Sequence, residues 1–259
     1  MKRTRVFPRP EDFPGRVRPL MQSQAIYTSC SSPAAQVWYI SSGFYLKAAA
    51  PGTLATEAAL TRYFCRKGLA APVLDYWTED RDWLLTQALP GEDCVHPDHL
   101  AQPKRLCDTL AALLRQLHET DFTDCPVMDR CETYRRTAQA GRLAGRWDRE
   151  LFPPEWSFPS AEEAWQAAQS GMAFLKSDTL LHGDYCLPNI ILDGWRFSGF
   201  VDLDSGGVGD RHIDLFWGIW TLNYNLKTSA YCRRFLEVYG MDRVEPELLR
   251  VVAACETFA

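Results

Sequence analysis

A chain of 259 residues, 46% hydrophobic and 24% charged with nine tryptophans, carries enough apolar material for a sizeable core and excludes intrinsic disorder. Its net charge of −5 is uneven: residues 1–90 hold 11 Lys+Arg against 7 Asp+Glu (+4), and residues 91–259 hold 17 against 26 (−9). The acidic majority argues against a nucleic-acid partner, while a basic front suits an anionic ligand such as a nucleotide and an acidic back suits a cationic one.

The start, "MKRTRVFPRPEDFPGRV", is basic with no apolar run behind it, so it does not read as a signal peptide. No stretch reaches the roughly 18 apolar residues of a membrane helix, so no membrane partner is expected. "LMQSQAIYT", "AQVWYI" and "FYLKAAA" then read as strands rich in aromatic and β-branched residues, with "SCSSP" as the first turn. "PGTLATEAALTRYFCRKGL" opens on Pro51 and Thr53 and stops at Gly68, which are helix start and stop signals. "APVLDYW" and "DWLLTQAL" add two strands, and "PGED" punctuates.

From about residue 98 the texture turns helical. Leu106, Leu110, Leu113, Leu114 and Leu117 fall on one helical face. Residues 127–146 and 161–175 are further helices, separated by the proline-broken loop 147–160. A hairpin with Asp193-Gly194 as its turn follows, and helices over 210–222, 229–239 and 245–256 close the chain. The expected fold class is α+β: a small β-rich lobe over 1–90 and a larger, mainly helical lobe over 91–259. Nine cysteines with no Cys-x-x-Cys spacing predict reduced, mostly buried thiols in a cytoplasmic protein rather than a zinc site.

The chemistry concentrates in "HGDYCLPNIILDGWRFSGFVDLDSGG", residues 182–207. Asn189 begins the first strand of the hairpin and Asp202 ends the second, so folding at the turn brings them to one end, with Asp184 in the loop before. Two carboxylates and an amide oxygen are hard ligands that suit Mg²⁺. One carboxylate left free of metal could accept the proton of an attacking hydroxyl, as phosphoryl transfer requires. In the front lobe, Lys47 ends an apolar strand and Glu57 lies ten residues on, in the helix. A strand lysine fixed by a helix carboxylate is how kinase folds present a positive charge to nucleotide phosphates.

"HGDYCLPN", followed by "GFVDLDSGGVGDRHIDL", resembles the aminoglycoside phosphotransferase family, and within it the 3'-phosphotransferases. The resemblance extends through Lys47, the Glu57 of "TEAAL", "LLTQALPGED", "LRQLH" and the closing "ETFA". It implies a protein-kinase-like, two-lobed fold with ATP in the cleft, and a kinase of kanamycin or neomycin. By the same resemblance Asp184 is the catalytic base, Asn189 and Asp202 hold Mg²⁺, and Lys47 contacts the α- and β-phosphates with Glu57 as its partner. Ser29, Cys30, Ser31 and Ser32 match the loop over the phosphates, and Gln87, Ala88 and Leu89 match the connector that holds adenine. His182 is expected to fix the loop by hydrogen bonds, Asp210 to cap a helix, and Asp214 to anchor the catalytic loop.

A polycationic acceptor needs carboxylates. The resemblance points to Glu150 and Glu155 in the proline-rich loop and to Glu256 and the Ala259 carboxylate at the end. The chain also departs from the family pattern. Leu187 stands where an acidic or small polar residue is frequent, and Asp204-Ser205 stands where Gly-Arg is frequent. No acid lies near Tyr224-Asn225, "ETFA" replaces Asp-Glu-Phe-Phe, and the phosphate loop lacks glycine. Two alternatives therefore stand beside an aminoglycoside kinase: a same-fold kinase for another small hydroxylated amine, sugar or antibiotic, and a catalytically silent kinase-like binding protein. A monomer or weak dimer is expected.

Overall fold

Alternation along a short strand decides which side chains face a neighbouring helix and which face a ligand. The computed structural model describes residues 3–29, 34–148, 151 and 157–259. In chain order it contains β1 (Thr4–Val6), α1 (Arg18–Met21), β2 (Ile26–Thr28), β3 (Ala35–Ile40), β4 (Phe44–Ala49), α2 (Ala55–Arg66), β5 (Val73–Thr78), β6 (Asp82–Gln87) and β7 (Glu92–Asp93). Helices α3 (Pro97–Leu100), α4 (Pro103–His118), α5 (Arg130–Leu143) and α6 (Ala161–Gly171) follow. Then come β8 (Thr179–Leu181), β9 (Ile190–Asp193), β10 (Arg196–Phe200), β11 (Gly207–Gly209), α7 (Arg211–Leu226), α8 (Cys232–Tyr239) and α9 (Pro246–Glu256).

Two compact units result. Residues through His96 join Pro188–Asp204 in one, and Pro97–Leu187 with Ser205–Ala259 form the other. The β9–β10 hairpin thus belongs with the first unit instead of falling after a cut at residue 90. The reason is pairing: β9 is hydrogen-bonded to β7, and the Phe200 N–H donates to the Leu69 carbonyl at 2.8 Å.

The first unit is built on an antiparallel sheet in the order β1-β2-β3-β4-β6-β5. Leu46 and Ala48 of β4 pack with Trp83 and Leu85 of β6 and with Phe13, in one apolar cluster. The alternate residues Tyr45, Lys47, Leu84 and Thr86 line a cavity. "LMQSQAIYT" is two elements, the end of α1 and then β2, because Ser23 takes a left-handed turn (φ 61°) between them. The hairpin turn also sits one residue later than expected. Asp193 pairs with Arg196, so Gly194 and Trp195 are the central residues. Gly194 has φ 64° at the first of them, where a type II′ turn takes glycine.

The second unit is mostly helical. Leu106, Leu110, Leu114 and Leu117 of α4 are buried, with Leu113 at the edge of the face. Helices α5, α6, α7 and α9 share a core of small and aromatic residues that includes Ala164, Ala168, Phe216, Val252 and Phe258. Helix α7 continues four residues past the expected 222 and ends where Lys227 turns left-handed (φ 54°). The eight cysteines among the described residues are free thiols. No described helix is long and apolar enough to cross a membrane.

Helix α2, which carries Glu57, is tied to the sheet by one buried carboxylate. Asp82 accepts from the Leu54 N–H at 2.9 Å, the Thr78 hydroxyl at 2.7 Å and the Tyr76 hydroxyl at 3.1 Å. Asp82→Ala leaves three donors without an acceptor and is expected to lower unfolding stability by about 3 kcal/mol, whereas Thr78→Val, which removes one donor, costs about 1 kcal/mol. Urea melts of the two variants check the ratio.

Candidate active site

In the first unit, β4 points Lys47 into the cavity and α2 brings Glu57 to it. The Lys47 ammonium lies 2.8 Å from Glu57 Oε2 and 2.6 Å from Asp202 Oδ1. One cation thus serves two carboxylates. Asp202 reaches it because the backbone turns left-handed there (φ 58°), just beyond β10. The two carboxylates keep the Lys47 amine protonated, raising its pKa against the opposing effect of burial. Burial pushes Glu57 up to about 7, with the Asp202 charge adding to the rise and Lys47 opposing it. The Val201 N–H donates to the Asn189 carbonyl at 3.0 Å, which sets Asn189 beside the strand leading to Asp202. Lys47, Glu57, Asn189 and Asp202 all line the same cavity, whose empty space, open mouth included, is about 1310 Å³.

The apolar lining includes Ala71, Leu84, Leu89, Ile191 and Phe200. Within the connector, the Gln87 N–H donates to the Pro72 carbonyl at 3.0 Å and the Ala88 N–H to the Gly43 carbonyl at 2.9 Å. Gln87 and Leu89 line the cavity; Ala88 does not. Ser29 is buried and lines it too. Cys30, Ser31, Ser32, Glu150 and Glu155 lie outside the described residues.

Sequence reasoning passed over Tyr45 and Arg3 in the cavity wall. The Arg3 guanidinium donates to the Tyr45 hydroxyl at 2.7 Å and lies 3.8 Å from the Tyr39 ring centre. Tyr45 could have been found, since it lies two residues before Lys47 on an alternating strand. Nothing local marks Arg3.

In the second unit, the loop after β8 carries Asp184. It is held by Asp214 of α7, whose carboxylate accepts from the His182 N–H and the Gly183 N–H, both at 2.7 Å. His118 Nε2 lies 3.2 Å from the same carboxylate, and His118 Nδ1 lies 2.8 Å from the Tyr239 hydroxyl. Burial lowers the His118 pKa, so the ring is neutral. It donates to Asp214 from Nε2 and accepts from Tyr239 at Nδ1. The Asp184 N–H donates to His182 Nδ1 at 3.3 Å, so this ring braces the backbone of the loop. Gly183 has φ 84°, and a Cβ there would stand 1.9 Å from the Ser205 carbonyl oxygen, so only glycine fits. Asp210 caps α7, accepting from the His212 N–H at 3.0 Å, and also accepts from the Lys176 N–H at 2.9 Å.

Glu256, the last residue of α9, is buried. Its Oε1 accepts from the Tyr134 hydroxyl at 3.0 Å and the Trp217 indole at 3.1 Å. Burial drives its pKa up to about 7; the two hydrogen bonds oppose the rise and the Asp184 charge adds to it. Ala259 is exposed at the chain end.

The family model described as "Phosphotransferase enzyme family" matches residues 31–251, and the chain belongs to that family. It is 45% identical over 251 residues to the "Probable aminoglycoside 3'-phosphotransferase" of Lactococcus lactis subsp. lactis (strain IL1403), covering 96% of this chain and 95% of that one. It is 32% identical over 196 residues to the aminoglycoside 3'-phosphotransferase of Niallia circulans, 73% of each. Among solved structures, a type VIII aminoglycoside-3'-phosphotransferase matches with a TM-score of 0.70 at 24% identity, over 89% of this chain and 91% of that one. An aminoglycoside phosphotransferase from Streptomyces rimosus, solved with ADP and streptomycin, matches at 0.67 and 19%, over 86% and 90%. The α+β, protein-kinase-like fold expected from the sequence is the fold of these enzymes.

The raised pKa of Glu256 sets a pH dependence. The folded carboxyl holds its proton to about pH 7, whereas an unfolded one releases it near 4.5. The stabilisation is therefore full below pH 4.5 and is lost as the pH rises toward 7. Glu256→Gln keeps an oxygen for Tyr134 and Trp217 but does not titrate. Its stability relative to wild type is expected to rise by roughly 3 kcal/mol between pH 4.5 and 8. Urea melts at several pH values test this, and parallel curves for the two proteins contradict it.

Proposed function

We propose that the protein transfers the γ-phosphate of ATP, with Mg²⁺, to a hydroxyl of an aminoglycoside, the 3'-hydroxyl by analogy with the named relatives. The observation that carries the reading is the Lys47 ammonium, held between Glu57 and Asp202 in the wall of a cavity that Asn189 also lines. Family membership and 45% identity to a protein named as an aminoglycoside 3'-phosphotransferase support the acceptor class.

The donor set fits a hard cation. Asp202 offers a carboxylate that is about half exposed, and Asn189 offers an amide in the same cavity. In this reading Asp202 and Asn189 hold Mg²⁺, which when bound neutralises charge on the nucleotide phosphates. Lys47 supplies the fixed cation for the α- and β-phosphates, and Glu57 keeps it oriented. The apolar lining around Leu84 and Phe200 receives the base. Gln87 and Ala88 have spent their N–H groups on Pro72 and Gly43, so Leu89 is the connector residue left to offer one to adenine.

Asp184 accepts the proton of the acceptor hydroxyl as that oxygen attacks phosphorus. His182, Gly183 and Asp214 act through it as positioning residues, since they fix its backbone. Most of the acceleration then comes from placement and charge stabilisation, not from covalent chemistry. Glu256 and the Ala259 carboxylate, with Glu150 and Glu155, are the acids available to a cationic acceptor.

Asp184→Asn is expected to lower turnover of kanamycin by roughly a hundredfold to ten-thousandfold while leaving ADP binding, measured by calorimetry, near the wild-type value. Chelation of Mg²⁺ should stop ADP release, and added Mg²⁺ should restore it. Retained turnover in Asp184→Asn overturns the base assignment. A wild-type protein that releases ADP with no aminoglycoside overturns the acceptor class.

A further inference from the structure

Among the described residues, two basic side chains line the cavity of the first unit, Lys47 and Arg3. The charge of Lys47 is taken up by Glu57 and Asp202. Arg3 is differently placed. Its guanidinium lies 3.8 Å from the Tyr39 ring centre and donates to the Tyr45 hydroxyl at 2.7 Å, so it rests on a ring face and a neutral phenol. A guanidinium carries five N–H donors in one plane, and this phenol takes one of them.

Strand register puts Arg3 on the same row of the sheet as Lys47. Thr4 pairs with Thr28, so Arg3 falls opposite Ser29, one step beyond the last pair of β1 and β2. The Ser29 N–H donates to the Val37 carbonyl at 3.0 Å, Val37 pairs with Lys47, and Lys47 pairs with Leu84. Arg3, Ser29, Val37, Lys47 and Leu84 thus form one cross-strand row, and all five line the cavity. Tyr45 lies two residues from Lys47 on β4 and so faces the same way. From its end of the row the Arg3 side chain runs over Tyr39 to Tyr45. Holding β1 to the sheet does not call for this reach, since Thr4, Arg5 and Val6 already pair with β2. The ring and the phenol fix the fork of N–H groups in place, which lowers the ordering cost of a further contact.

A planar fork of donors matches phosphate oxygens and can take them two at a time. We propose that Arg3 is a second phosphate-binding residue, whose guanidinium contacts the phosphate chain of the bound nucleotide while Tyr45 holds it in position. This rests on the reading of the cavity as the nucleotide site and gives the N-terminal segment a part in it. Glu57 and Asp202 offset the charge of Lys47; Arg3 adds positive charge whose own partners are neutral.

The test uses the full-length protein, in calorimetric titrations with ADP and with adenosine in the presence of Mg²⁺, and in steady-state ADP-release assays with kanamycin. Arg3→Ala is expected to weaken ADP binding roughly three- to tenfold and to leave adenosine, which has no phosphate, within about twofold of wild type. It should raise the KM for ATP more than it lowers kcat. Arg3→Lys keeps the charge but not the fork and should recover part of the loss. Tyr45→Phe, which removes the hydroxyl and keeps the ring, should weaken ADP binding on its own and change nothing further when added to Arg3→Ala. Unchanged ADP affinity in Arg3→Ala overturns the assignment, and so does an equal loss for ADP and adenosine, which a merely structural clip would give. Wild-type protein that binds ADP but transfers no phosphate to kanamycin defeats the kinase reading alone, since the titrations of the variants still decide the role of Arg3. Wild-type protein that binds no ADP overturns the assignment itself.

Discussion

One ammonium shared by two carboxylates organises the first unit. Lys47 comes from the middle strand of a sheet, Glu57 from a helix, and Asp202 from the end of a hairpin more than 150 residues away in sequence. No two of these segments are neighbours in the chain except β4 and α2. The charge balance at Lys47 is therefore a tertiary statement: it exists only when the hairpin has paired through β7 and docked at Leu69. Burial is the main reason Glu57 lies above an ordinary carboxylate, and the second acid, Asp202, adds to the rise while Lys47 opposes it. Such a cluster is primed for another cation, and the oxygens of Asn189 and Asp202 are the kind a hard divalent ion prefers.

The second unit uses the opposite device, one acceptor with several donors. Asp214 is fully buried and takes two backbone N–H groups and the His118 ring. Burial leaves His118 neutral, so the network is held by oriented hydrogen bonds and not by a buried ion pair. Its product is the shape of residues 182–184, where the left-handed Gly183 passes against the Ser205 carbonyl and His182 braces the Asp184 N–H. The Asp184 side chain is presented by groups that never need to touch a substrate.

Much of this was legible because the relevant patterns are local. The face of α4 follows from leucine spacing, and the β4 strand from alternation around Lys47. The hairpin follows from a glycine turn between two apolar runs, though its register shifted by one residue because Asp193 pairs with Arg196 and is not itself a turn centre. What escaped has no local signal. Strands β1, β7, β8 and β11 are two or three residues long, and partners elsewhere in the chain define them. The extension of α7 through Asn223, Tyr224 and Asn225 is supported by the Trp220–Tyr224 stack, which propensity alone does not anticipate. Arg3 reaches the cavity only because β1 joins the sheet edge.

Burial raises two glutamates, Glu57 and Glu256, to about 7, but they are held differently. Glu57 has its counter-ion in Lys47. Glu256 has neutral partners, a phenol and an indole, and no basic side chain among the described residues pairs with it. Burying a carboxylate on neutral donors costs free energy that a cation nearby would offset. A neutral or anionic acceptor leaves that cost in place. A cation brought within reach of Glu256 would offset it and draw the carboxyl down. Glu57 is held by a charge partner and Glu256 by neutral donors, so a change of pH reaches Glu256 with no counter-ion to hold its charge.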